Sequence, residues 1–114
     1  MAWHHVLHAR ASIERGELWR AEHWISAARD VVLSLASVRH GLPHTYARGA
    51  DALPGEVTAP LHGTLLRALN PAEARRALDA VTDVVLRELS HAAPDVAASL
   101  ATAVRDRGPA PDGT

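Results

Sequence analysis

Apolar residues recur along this chain at steps of three and four, the pattern of helices that bury one face. The clearest case runs from Glu17 to Arg39, where Leu18, Ala21, Ile25, Ala28, Val32 and Leu35 fall on one stripe. Trp24, Val31 and Val38 add a flank that repeats every seven residues. Together they make an apolar face wide enough for partners on more than one side, so the segment reads as the central helix of a bundle. Gly16 precedes it, Gly41 follows it, and no glycine or proline interrupts it.

Shorter patterns flank this rod. Val6, Leu7, Ala9, Ala11 and Ile13 predict a first helix from about Trp3 to Arg15. Gly16 then serves as the left-handed residue past its end. The connection is so short that the first two helices must be antiparallel neighbours. Beyond the central helix, Arg39-His40-Gly41-Leu42-Pro43-His44 breaks the period, because Pro43 disfavours helix in itself and before itself. A short helical turn is expected from about Thr45 to Leu53, and Pro54-Gly55 marks a further turn. Thr58-Ala59-Pro60 predicts a helix start, with Leu61, Leu65, Leu66 and Leu69 as the apolar side.

Asn70-Pro71-Ala72-Glu73 is the strongest capping signal. Asn70 can accept from exposed amides, Pro71 lacks a donor that would go unused, and Glu73 can reach back to the cap. The helix it opens should run to about His91 on Leu78, Val81, Val85 and Leu89, with Ala74 and Ala77 as small contacts. Pro94-Asp95 predicts a last helix to about Arg105 through Val96, Leu100 and Val104, and residues 106–114 read as a disordered tail. No segment alternates as a strand would. The expected fold is all-α: one domain over residues 1–105, an up-and-down bundle of four or five main helices with a short helical insert.

Composition narrows the chemistry. With 114 residues and no cysteine, the chain is one domain without disulfides or thiolate chemistry. A signal-like segment and an apolar run of ~20 residues are both lacking, so a soluble, cytoplasmic protein with no membrane contact is expected. All twelve basic residues are arginine, scattered among thirteen acids for a net charge of −1, which argues against a nucleic-acid interface. Phenylalanine is absent, so leucine, valine and three tryptophans must supply the bulk, while the many alanines let helices approach closely.

His4 and His8 lie four apart on one face, a spacing at which two imidazoles can converge on a metal. No cysteine or carboxylate pattern completes a ligand set, so no metal is expected. Glycine-rich phosphate loops, a G-x-S-x-G elbow and an H-E-x-x-H helix are all missing. Off the main stripe of the central helix lie Trp19, Glu22, His23, Ser26, Arg29 and Asp30. Glu22, Ser26 and Arg29 share a face that either hydrogen-bonds a polar ligand or partner, or is a solvated strip with an internal Arg–acid contact worth only ~0.2–0.5 kcal/mol. Arg48 and Asp51, three apart on the insert, form a similar local pair or part of a site.

A resemblance gives these residues a context. Its first part is the run from Ala9 to Trp24, with Arg15-Gly16, Trp19 and Ala21. Arg29 to Gly41 continues it, and Tyr46 to Pro54, with Arg48-Gly49-Ala50-Asp51, closes it. This resembles the C-terminal helical domain of nucleotidyltransferases of the aminoglycoside adenylyltransferase and kanamycin nucleotidyltransferase kind, over roughly residues 3 to 105.

The resemblance implies a bundle that shapes the acceptor pocket, while a separate Asp-x-Asp domain binds ATP and magnesium. It puts Trp19 and Glu22 on the pocket-facing helix and matches Asp51 to an acidic position that contacts the acceptor. Arg29, Tyr46 and Arg48 complete the expected substrate-binding set. The Gly-Ser and Asp-x-Asp elements of the catalytic half are absent from this sequence. The expectation is therefore a non-catalytic binding module, with no cofactor of its own. Its expected partners are a nucleotidyltransferase catalytic domain, a small polar acceptor such as an aminoglycoside, and a second copy in a homodimer.

Two alternatives stay open. The related HEPN ribonucleases carry an arginine and a histidine with four to six residues between them, flanking the scissile phosphate, a spacing matched by Arg39 and His44 as catalytic residues. The other is a plain helical interaction module that self-associates through exposed tryptophans.

Overall fold

The structure is a computed structural model that describes residues 2–92. Four helices make it up: α1 (Ala2–Glu14), α2 (Leu18–Arg39), α3 (Gly55–His62) and α4 (Pro71–Ala92). Two 3₁₀ turns, Thr45–Ala47 and Ala50–Ala52, precede α3, and no strand occurs among the described residues. The protein is an all-α bundle. The expected last helix from Pro94 and the tail lie outside the described residues.

Glycine ends the first two helices by one mechanism. At Gly16 (φ 74°) and Gly41 (φ 70°) the chain turns left-handed. Each glycine amide donates three residues back, to Ile13 at 3.0 Å and to Val38 at 3.0 Å. The next amide reaches further, from Glu17 to the Ser12 carbonyl and from Leu42 to the Ser37 carbonyl, both at 2.8 Å. This double closure satisfies carbonyls the helix leaves free, and only glycine enters it without steric cost. After Gly16 it folds α2 back along α1, so that His8 and Trp24, eight positions to either side of the turn, meet at 4.6 Å.

Helices α2 and α4 run in the same direction. Arg39, the last residue of α2, pairs with Glu88 near the end of α4. Lower down, Arg29 of α2 and Arg76 of α4 both bind the segment around Thr64. Residues 40–70 therefore carry the chain back to the starting level, and the bundle's order is up, down and, after that return, down again.

The core lies where α1, α2 and α4 meet: Val6, Ala9 and Ile13 face Ala21, Ile25, Ala28 and Val32, with Ala74, Ala77, Val81 and Val85 on the third side. Six of these are alanines or valines with no exposed surface, consistent with helices that approach closely. The expected stripe on α2 is shifted at its end. Leu35 is 41% exposed and Ala36 is buried in its place, because a period of 3.6 residues drifts from the three–four pattern over three turns. No described helix is long and apolar enough to cross a membrane.

The helix expected from Thr58 differs most. It begins at Gly55, with Pro54 at the cap, and stops at His62. Pro60 sits inside it rather than in its first turn. Proline lacks the amide that would bond back and so shortens what can follow. Leu65 and Leu69, expected on its apolar side, are 50% and 40% exposed on the irregular stretch before α4.

Candidate functional site

The return segment has few periodic apolar residues, and arginine side chains hold it instead. The Arg29 guanidinium leaves α2 to donate to Thr64 Oγ1 at 2.7 Å and to the Thr64 carbonyl at 2.9 Å. Thr64, fully buried, donates a hydrogen bond from its own hydroxyl to the Leu61 carbonyl at 2.6 Å and so closes the end of α3. From the other side Arg76 donates to the carbonyls of Gly63 at 2.7 Å and Leu65 at 2.8 Å. Five rigid donors make arginine suited to collecting carbonyls that no helix satisfies.

Glu73 locks this arrangement. Its carboxylate takes two bonds from Arg76 and one from the Arg67 amide, all at 2.7 Å. These bonds, with Arg76 first, hold its carboxyl at about 2. The Asn70 cap forms as expected, accepting from the Glu73 amide at 2.8 Å. The expected return bond from the Glu73 side chain to the cap does not form, because Arg76 and Arg67 claim both oxygens.

This framework shapes a groove of about 270 Å³ between α2, the second 3₁₀ turn and α3. Leu33, Leu61 and Leu65 give it an apolar side, Arg29 and Asp51 a charged one, with Thr58 and His62 at the margin. Arg29 and Asp51, both expected as site residues, are thus brought to one depression. Asp51 is exposed and takes part in no ion pair among the described residues, so the local pair expected with Arg48 is not made.

The other expected positions are placed as follows. Glu22 stands beside Arg29 with Oε1 at 3.9 Å, beyond hydrogen-bond length, and its Oε2 is buried without a partner. Trp19, one turn earlier, is 78% exposed. Tyr46 is 94% exposed with φ 56°, and Ala47 shares that left-handed backbone. Arg48 is exposed as well. Trp19, Glu22, Tyr46 and Arg48 do not line the groove.

A second cleft, about 260 Å³, opens at the far ends of α2 and α4. At its side Arg39 binds Glu88 through two bonds, Nε to Oε2 at 3.1 Å and Nη2 to Oε1 at 2.9 Å. Hydrogen bonding to Glu88 pushes the Arg39 guanidinium above its ordinary value. The guanidinium is therefore engaged across the bundle, while His44 is exposed and its backbone carbonyl accepts from Ser34.

On the opposite side of the bundle, His8 stacks on Trp24 rather than joining His4. Among the described residues no group of three histidines or carboxylates converges as a metal site would require. Thr64, Arg76 and Glu88 went unnoticed in the sequence. Glu88 was one charge among many, and the carbonyl-binding role of Arg76 has no spacing signature.

No protein family, characterised protein or solved structure matches this chain.

Proposed function

We propose that this bundle is a non-catalytic binding module for a small, polar, positively charged acceptor, working beside a nucleotidyltransferase catalytic domain. The observation that carries the reading is the groove: Asp51, a carboxylate in no ion pair among the described residues, lies next to an apolar side of Leu33, Leu61 and Leu65, while the Arg29 guanidinium on the same groove is tied to Thr64. An ammonium on the acceptor would meet Asp51 in a charge-assisted bond while the less polar ring face lies on the leucines. The volume supports a partial site. At about 270 Å³ the groove falls below the roughly 300–1,000 Å³ of pockets that enclose a whole small ligand. It has room for one ring, and the rest of the acceptor is left to the catalytic domain, which would also supply ATP and magnesium. The sequence resemblance names that partner and the acceptor class.

Calorimetric titration with a cationic aminoglycoside tests this. Binding should weaken roughly 5–10-fold in Asp51→Asn, the equivalent of about 1–1.4 kcal/mol. Binding unchanged by that substitution would refute the assignment of Asp51. Incubating the chain with ATP, magnesium and aminoglycosides should give no adenylylated product, and turnover would refute the non-catalytic role.

A further inference from the structure

Away from the groove, one tryptophan carries three histidines. The rings of His5 and His8, one turn apart on α1, lie nearly parallel to Trp24 of α2, with centres 5.3 and 4.6 Å away and tilts of 24° and 26°. His23 meets the same indole edge-on at 4.9 Å. We propose that this cluster is a proton-sensitive joint, in which protonation of the imidazoles stacked on Trp24 loosens α1 from the bundle.

The geometry gives the direction. Neutral imidazoles stack on an indole at no electrostatic cost, and a single cation over its face is even attractive. At His5, however, the charged groups that bear on an added proton are all basic. The groups that bear on His5 are the N-terminal amino group, then His8 on its own helix, His23 on α2, and His4. From α4 no charge bears on His5. α4 turns Asp79 toward α1, where it feels Arg10 further along that helix and Asp83 one turn on along α4.

His5 also has a buried Nδ1 without a hydrogen-bond partner. A neutral ring can leave its lone pair there, whereas protonation forces an unsatisfied N–H into the same place. Desolvation first, and then the surrounding basic groups, push His5 below its ordinary 6.5. A histidine depressed in the folded state stabilises the fold above 6.5, and that contribution is lost as pH falls below it. Apart from Trp3, which packs against the core, light side chains tie α1 down, chiefly Ala2, Val6, Ala9 and Ile13, so the loss is felt there before it reaches α4.

Amide hydrogen exchange of the full chain, corrected for intrinsic rates, tests the joint between about pH 7.5 and pH 5.5, the range in which histidine is the side chain that ordinarily titrates. Opening of α1 should rise several-fold relative to α4 as pH falls. His5→Phe, which keeps a stacked ring without the proton, should flatten most of that rise. An equal change in both helices, or an undiminished rise in His5→Phe, overturns the proposal. Should His5→Phe fail to fold, the His5 ring resonance of the unsubstituted chain decides: a midpoint below 6.5 is expected, and one at or above 6.5 contradicts it.

Discussion

The three long helices and the return segment between α2 and α4 are held by different physics. In the helices, Ile25, Val81, Val85 and a set of alanines are removed from water at regular spacing, so cohesion is spread over many small contacts. Residues 40–70 bury Leu53 and Leu61 but otherwise hang on a few directed bonds: Arg29 and Arg76 on the carbonyls near Thr64, and the Glu73 amide on Asn70. Spread contacts tolerate the loss of any one polar partner, whereas directed bonds fail singly. The groove sits at the border of the two, with Leu33 contributed by the core and Asp51 by the return segment. Each side supplies both kinds of surface: Arg29 and Leu33 come from α2, and Asp51, Leu61 and Leu65 from the return segment.

Substitutions can break this contrast in order of size. Ile25→Ala, at a site with no exposure, should cost about 3–5 kcal/mol in urea unfolding and lower protection throughout the bundle. Arg39→Ala strands the nearly buried Glu88 carboxylate and should cost about 2–3 kcal/mol, less than for a fully buried pair because the arginine is one-third exposed. Arg29→Ala should cost only about 1–2 kcal/mol globally, yet strip exchange protection from Leu61 to Leu66 while leaving α1 unchanged. Arg29→Lys should not restore it, since one ammonium cannot serve the hydroxyl and the carbonyl as the planar fork does. If Arg29→Ala instead loosened all helices alike, the return segment would belong to the core. The smallest effect has the opposite sign. Ala47→Gly, at φ 56°, should raise stability by about 0.5–1 kcal/mol by removing left-handed strain.

The same division explains what could be read from the sequence. The ends of α1, α2 and α4 follow from periodicity, Gly16, Gly41 and Asn70, because local chemistry decides them. Where local rules compete with tertiary contacts, reading from spacing fails. Pro60 fits a helix start, yet Pro54 starts the helix and Pro60 lies within it. Leu35 fits the stripe, yet the drift of the helix gives its place to Ala36.

The meeting of Arg29 and Asp51 in one groove has no signature in the sequence, since no helical spacing relates the two. The bonds of Arg29 and Arg76 to carbonyls had no signal at all, because every residue carries a carbonyl and only the fold selects which ones are left unsatisfied.

A backbone and side-chain resonance map recorded while a cationic aminoglycoside is added tests the groove most directly. Shifts confined to Leu33, Asp51, His62 and Leu65, and reached only at several-fold higher acceptor concentration in Asp51→Asn, are the predicted result. Shifts centred on Trp19 or on the Arg39–Glu88 cleft, or none at saturating acceptor, would contradict it.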